Sequence, residues 1–297
     1  MESFRILKNS LKGKFRFGEL LYKHTTFRIG GPAKIWVEPE DEKDLRGVLQ
    51  FVKAHKLKIF VIGSGSNVLA DDKGFDGVVI RLSSPYFKDI NFEKSKVLAG
   101  TGTKLSHLVF SSCKHSLGGL ENLAGIPGTV GGAVCMNAGY KKSIGEFVHK
   151  ARVMDETGKL RTLYSKDLKF GYRNSNLSRY VILEVEIGLK KEEKENLIES
   201  YEHLIRLKKA SQPWSRKSAG CVFKNPTSIS RTAAGLIELC GLKGKRFGGA
   251  KISDKHANFI INVNRAASND VIGLMDFVQK RVKKKFGIAL EPELVRI

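Results

Sequence analysis

Asn122-Leu123-Ala124-Gly125-Ile126-Pro127-Gly128-Thr129-Val130-Gly131-Gly132-Ala133-Val134-Cys135-Met136-Asn137-Ala138-Gly139 is the stretch on which the reading of this chain turns. It packs five glycines and one proline into 18 residues. Glycine tolerates positive φ and carries no Cβ, so such a run fits a backbone pressed against a ligand, with successive N–H groups converging on an anion. The ligand this implies is a diphosphate.

A second glycine loop lies upstream. The apolar, β-branched run Lys58–Ile62 enters Gly63-Ser64-Gly65-Ser66-Asn67 before Val68 and Leu69 resume. A strand feeding a Gly/Ser loop presents N–H groups to phosphate. The spacing is neither Gly-x-Gly-x-x-Gly nor a Walker loop, since no Gly-Lys-Ser/Thr ending follows. Either loop alone fits a plain turn as well as a phosphate cradle. Two of them in one chain favour the cradle.

Outward from these loops, 297 residues with 41% hydrophobic content suffice for a substantial core and two or three domains. Lys34–Val37 reads as a strand, Asp41–Ala54 as a helix with Leu45, Val48, Leu49 and Val52 on one face, and Lys58–Ile62 as the next strand of a small β-α-β unit. Strands are expected at Gly77–Leu82, Lys96–Ala99, Ala151–Asp155, Arg161–Tyr164 and Tyr180–Leu189, with a helix over Leu105–His115. Lys190–Lys209 carries an apolar face of Leu197, Ile198, Tyr201, Leu204 and Ile205, and Ser211-Gln212-Pro213 ends it. Beyond it a smaller α+β region holds a helix at Ala233–Cys240, strands at Lys251–Ser253 and Asn258–Val263, and a final helix that Ser268 is placed to cap. The division expected is 1–75, 76–204 and 205–297.

Fifty-two basic against 30 acidic residues leave a net charge of +22. That excess fits an anionic partner, whether nucleic acid, acidic lipid or nucleotide. The densest cluster, Lys280 to Lys285, lies on an amphipathic helix and reads as a solvated face. Aromatic residues do not interleave with the basic ones and no RNA- or DNA-binding motif appears, so a nucleic-acid partner is not expected. Cys113, Cys135, Cys221 and Cys240 show neither C-x-x-C nor zinc spacing and read as reduced thiols, with no metal site. Met1–Gly18 lacks the apolar centre of a signal peptide, and no apolar run reaches the roughly 18 residues of a membrane span. A cytoplasmic protein is expected.

Gly119-Leu120-Glu121-Asn122 running into the glycine stretch closely resembles the flavin loop of the UDP-N-acetylenolpyruvoylglucosamine reductase family. The likeness continues, in the family's order, through Thr25-Thr26-Phe27-Arg28-Ile29-Gly30-Gly31-Pro32-Ala33, Gly63–Asn67, Tyr172-Arg173-Asn174-Ser175, Ala219-Gly220-Cys221-Val222-Phe223-Lys224-Asn225-Pro226 and Leu290-Glu291-Pro292-Glu293. The resemblance implies an α+β fold, with a FAD-binding domain of the vanillyl-alcohol-oxidase (PCMH) type in two subdomains that hold the cofactor between them, plus a C-terminal substrate domain. It implies reduction of UDP-N-acetylglucosamine enolpyruvate to UDP-N-acetylmuramate for bacterial peptidoglycan, with NADPH as hydride donor and FAD bound non-covalently. The short linker from Leu189 to Ser211 resembles the family's shorter form, which lacks an extra loop with a substrate-closing tyrosine. A monomer is expected.

Carried over residue by residue, the resemblance places cofactor contacts at Arg28, Gly63, Ser64, Gly65, Ser66 and Asn67, and along the organising stretch at Asn122, Gly125, Ile126, Pro127, Gly128, Thr129, Gly131, Gly132, Ala133, Asn137 and Gly139. Tyr172, Lys224 and Asn225 match substrate-binding positions. In the family's reaction FAD N5 delivers a hydride to the enolpyruvyl methylene carbon, and the charge left on the adjacent carbon needs a fixed cation, a donor and an acid. Arg173 matches the arginine on the substrate carboxylate, whose fork suits a guanidinium. Glu293 matches a glutamate that hydrogen-bonds the enolate, which calls for a raised pKa. The family's usual residue at 221 is a serine that protonates the carbanion. Here it is Cys221, and a thiol, with an ordinary pKa of roughly 8.5, is the stronger acid of the two. His256 fits either a substrate-domain motif or a core histidine. The tail departs from the family's Val-Arg or Val-Lys, continuing Leu294-Val295-Arg296-Ile297. A flavoenzyme of the same fold that oxidises a small alcohol or hydroxy acid with oxygen would keep both glycine loops but leave Arg173, Cys221 and Glu293 as coincidence.

Overall fold

The computed structural model describes residues 2–297. The chain folds into two compact units that are discontinuous in sequence. One comprises the residues up to Gly18, Lys34–Ser64 and Asp76–Arg206, and the other Glu19–Ala33, Gly65–Phe75 and Leu207–Ile297.

The first unit carries two sheets. In the four-stranded sheet the order is Lys14–Leu20, Pro32–Glu38, Phe75–Ile80, Lys58–Val61, with the last two parallel. Phe75–Ile80 therefore lies between Pro32–Glu38 and Lys58–Val61, which are not neighbours as a bare β-α-β unit would have them. The helix Glu42–Ala54 lays Leu45, Val48, Leu49 and Val52 into a core shared with Ile35, Val37, Val78 and Ile80. Asp41 caps it, its carboxylate accepting the Asp44 N–H at 2.9 Å. The helix Glu2–Ser10 and the strand Lys14–Leu20 add to this layer and were not foreseen from the sequence, although the helix is strongly amphipathic and Phe15 and Phe17 alternate with charged residues along the strand.

Asp44 is buried and accepts the N–H groups of Lys12, Gly13 and Glu40 at 3.1, 2.8 and 3.1 Å. Removing the carboxylate leaves three partly buried donors without their acceptor. Asp44→Ala is expected to destabilise the protein by about 3 kcal/mol, read as a lower denaturation midpoint at unchanged m-value.

The five-stranded antiparallel sheet runs Leu160–Tyr164, Val148–Met154, Val181–Gly188, Lys96–Gly100, Ile90–Glu93. Along its central strand, Val185 and Ile187 point into the core while Glu184, Glu186 and Gly188 are partly exposed, the alternation of a half-covered sheet. Helices Leu105–Lys114 and Val130–Cys135 share that core. Cys113 is buried here, and burial, with the Glu121 carboxylate adding, pushes its thiol up to about 11. A raised folded pKa gives stability that is full below the unfolded thiol pKa and lost as pH rises toward the folded one. Between about pH 9 and 11 the native protein is expected to lose stability relative to Cys113→Ala, as measured by urea unfolding across that range.

In the second unit, Arg246–Phe247, Ala250–Ile252 and Ile260–Asn262 form a meander against helix Ser268–Phe286. Val271, Leu274, Met275, Val278 and Val282 of that helix pack with Phe27, Ile29 and Leu69 in one core. Ser268 is the first helical residue rather than the cap. The reason is a long-range partner: the Asp72 carboxylate accepts both the Ser268 N–H and its hydroxyl, at 2.6 and 2.9 Å. Asp270 takes the Ala267 N–H at 3.0 Å, and Gly287 ends the helix in the left-handed region. Val68–Leu69 pairs in parallel with Val295–Arg296, giving the divergent tail a defined register. Among the described residues, no helix is long and apolar enough to cross a membrane.

Candidate active site

In the first unit the organising stretch opens with a 3-10 turn, Glu121–Leu123, and passes through Gly125 and Gly128, both at positive φ (74° and 145°). Thr129 then caps the short helix Val130–Cys135, its hydroxyl accepting the Gly132 N–H at 3.3 Å. The first N–H groups of that helix are already spent. Val130 donates to Thr103 O and Gly131 to Thr101 O, each at 2.9 Å. The groups left for a ligand lie before the helix instead: the N–H groups of Gly125, Gly128 and Thr129, and those of Gly63 and Ser64, have no acceptor among the described residues.

The two glycine loops meet at Gly63 and Thr129. A Cβ on Gly63 would sit 2.4 Å from Thr129 Oγ1, and one on Gly131 would sit 2.9 Å from Thr101 Cβ. A side chain at either position would fill the approach. Glycine-lined loops with unspent N–H groups fit the diphosphate of FAD.

Asn137 is buried in the left-handed region (φ 44°) and acts as a joint. Its Oδ1 accepts the Gly145 N–H at 3.0 Å and its Nδ2 donates to Gly171 O at 2.8 Å. Ser175 Oγ donates to Cys135 O at 2.8 Å. Together they dock the hairpin Phe170–Gly171/Asn174–Ser175 on the glycine stretch, with Tyr172 and Arg173 at its tip. Arg173 also adopts positive φ (56°), a costly conformation for a side-chain-bearing residue, and its guanidinium lies over the Tyr172 ring at 5.1 Å.

In the second unit Cys221–Lys224 runs between two partners. Val222 N–H donates to Asn258 O at 2.9 Å on one side. On the other, Glu293 N–H donates to Val222 O and Lys224 N–H to Glu291 O, each at 2.8 Å. Cys221 and Glu293 therefore sit on directly bonded segments. Buried Asn258 grips Phe223 twice, accepting its N–H at 3.0 Å and donating to its carbonyl at 2.8 Å. Gly220, at φ 75°, turns the chain into Cys221.

Gly65 also takes positive φ (62°), and its carbonyl accepts the Thr26 N–H at 3.1 Å. Asn262 donates to Phe27 O at 3.0 Å and accepts the Ala266 N–H at 2.9 Å, fixing the loop that carries Arg28. Arg28 is exposed, at φ 57°, and its guanidinium donates to Lys23 O at 2.9 Å. Lys224 pairs with Glu291 through its ammonium, while Asn225 accepts the Ala233 N–H at the start of helix Ala233–Leu239, at 3.0 Å. His256 is half-buried, accepts the Asn258 N–H at 3.3 Å and has its pKa lowered by burial, the behaviour of a neutral core histidine. Asn258, Asn262 and Asp72 were not singled out from the sequence. Their signal is a side chain bonded to main chain far away, which no local spacing carries. Among the described residues there is no cluster of His, Cys, Asp and Glu able to hold a metal.

The fold and its glycine cradle define a FAD-dependent oxidoreductase with a vanillyl-alcohol-oxidase-type FAD-binding domain. Residues 33–164 match the family model described as FAD binding domain, and 212–297 match that of UDP-N-acetylenolpyruvoylglucosamine reductase, C-terminal domain. The UDP-N-acetylenolpyruvoylglucosamine reductase of Caldanaerobacter subterraneus is 39% identical over 292 residues, 97% of this chain and 95% of that protein. The crystal structure of the reductase from Thermus caldophilus superposes with a TM-score of 0.81 at 35% identity, over 96% of this chain and 99% of that one. Berberine bridge enzyme from Eschscholzia californica (TM-score 0.51, 13% identity, 65% of this chain and 44% of that one) shares the fold alone. The chain belongs to the UDP-N-acetylenolpyruvoylglucosamine reductase family, and it is an oxidoreductase whose cofactor is FAD.

Proposed function

We propose that this enzyme reduces UDP-N-acetylglucosamine enolpyruvate to UDP-N-acetylmuramate with NADPH, and that Cys221 is the proton donor. The chemistry that non-covalently bound FAD supplies is hydride relay from NADPH to the enolpyruvyl methylene carbon. Arg173 binds the substrate carboxylate through its fork and offsets the charge that grows beside it. Glu293 donates a hydrogen bond to the enolate. Cys221 Sγ–H gives its proton to the carbon next to the carboxylate, and the thiolate recovers one from solvent. The sum is balanced: one hydride and one proton add across the double bond as NADPH becomes NADP.

The observation that most supports this reading is the pair of main-chain bonds that places the Cys221 and Glu293 segments side by side, with Asn258 fixing the same segment from behind. Residues 1–75 and 76–204 serve the flavin, and 205–297 the substrate, with Tyr172, Lys224 and Asn225 among its contacts. The enzyme works as a cytoplasmic monomer in peptidoglycan precursor synthesis, upstream of cell-wall growth, shape and division.

Anaerobic stopped-flow absorbance of the flavin tests the assignment. NADPH is expected to bleach it, and the enolpyruvyl substrate to restore the colour far faster than buffer alone. A flavin that only oxygen reoxidises would move the reading to an oxidase of the same fold.

A further inference from the structure

We propose that the side chain of Asn67 is a positioning group that holds Glu293 for its proton chemistry, rather than a side-chain contact of the flavin. The inference rests on the role given to Glu293 above. Asn67 closes the second glycine loop, yet both of its bonds run to the C-terminal segment. Its Nδ2 donates to Glu293 O at 3.0 Å, and its own carbonyl accepts the Val295 N–H at 3.0 Å. The two bonds bracket Leu294. On its other side Glu293 donates its N–H to Val222 O at 2.8 Å, next to Cys221. Glu293 is thus held between the Asn67 amide and the segment that carries Cys221.

The parallel ladder of Val68–Leu69 with Val295–Arg296 ends one step short of Glu293. The Asn67 amide adds the missing rung. Without it, the peptide plane after Glu293 is free to rotate, and the direction of the Glu293 Cα–Cβ bond goes with it. A carboxamide is the side chain suited to this place. The acceptor is a carbonyl, so an aspartate has no proton to give and sets its charge against that oxygen, while glutamine overshoots by a methylene.

The test uses the full-length holoenzyme and measures flavin content, flavin reduction by NADPH, and flavin reoxidation by the enolpyruvyl substrate as a function of pH. Variants are Asn67→Asp, which is nearly isosteric, Asn67→Ala, Glu293→Gln, and the double variant Asn67→Ala/Glu293→Gln. Displacement of a reacting group by about 1 Å costs on the order of 100-fold, so reoxidation is expected to slow about 10- to 100-fold in both Asn67 variants, with a shifted pH profile. Flavin content and reduction by NADPH are expected to stay at wild-type levels, and Asn67→Ala is expected to cost nothing further once Glu293 is Gln. A parallel fall of flavin content and both half-reactions would make Asn67 a flavin contact and overturn the proposal, as would unchanged reoxidation or an additive loss in the double variant. Wild-type reoxidation in Glu293→Gln would instead remove the role of Glu293 itself, a result separable from the others because it needs no Asn67 variant.

Discussion

Cys221→Ala is expected to slow reoxidation of the reduced flavin by the enolpyruvyl substrate by about 10²- to 10⁴-fold, the range of a general acid, while NADPH reduces the flavin at the wild-type rate. The split follows from where the thiol acts. In the proposed role its proton would be needed only after hydride has left the flavin, so the first half-reaction would not report on it. Cys221→Ser is expected to recover most of the loss, because a hydroxyl on the same Cβ reaches the same carbon. The two acids differ at high pH: a thiol ionises within the alkaline range and a hydroxyl does not, so the alkaline decline of the wild type is expected to vanish in the serine variant. Equal rates in wild type and Cys221→Ala, measured by deuterium incorporation from solvent as well as by absorbance, would leave the proton to water. Burial pushes the thiols of Cys113, Cys135 and Cys240 up, so they ionise later than an ordinary thiol as pH rises.

Gly65→Ala is expected to cost on the order of 3 kcal/mol or more and to leave a protein with little bound FAD. Two penalties combine at this position. Its φ of 62° disfavours any residue with a Cβ, and that Cβ would lie 2.2 Å from His24 O and 2.8 Å from Thr25 Cα. Both obstacles are backbone, so no rotamer change relieves them. The loop would have to move away from Thr26, whose N–H and hydroxyl both bond to Gly65 O. Gly241, also at positive φ (69°) but with open space around it, is the control: Gly241→Ala bears only the conformational cost, about 1 kcal/mol, and keeps its flavin. Denaturation midpoints and the flavin-to-protein absorbance ratio read both effects.

What the sequence made legible was periodic or compositional. The helix over residues 42–54 announced itself by Leu45, Val48, Leu49 and Val52, and the central strand by its alternation around Val185 and Ile187. The glycine stretch was readable because close approach leaves glycine no substitute. The resemblance brought Arg173, Cys221 and Glu293 into view, whereas spacing alone would have left each as an ordinary side chain. The struts beneath them stayed hidden: Asn258 behind Phe223, Asp72 at the start of the last helix, and the part that Asn137, singled out only as a cofactor contact, plays under the Arg173 hairpin. Each is a single polar residue bonded to main chain between 34 and 196 positions away. Neighbouring residues show no pattern that predicts such a bond, and an asparagine in a loop reads as a turn former.

The second unit draws Phe27, Ile29 and Leu69 into a core otherwise made of residues 219–294, and its first-half strand Val68–Leu69 finds its partner only at Val295–Arg296. During synthesis, then, the early segments of this unit leave the ribosome long before what they pack against exists. They must wait in an open form, their apolar side chains available to chaperones, while the segment 76–206 of the other unit can already be forming its antiparallel sheet. Cutting the chain at the Arg206–Leu207 junction would not release a self-sufficient fragment, because the piece 207–297 would lack three of its own core side chains.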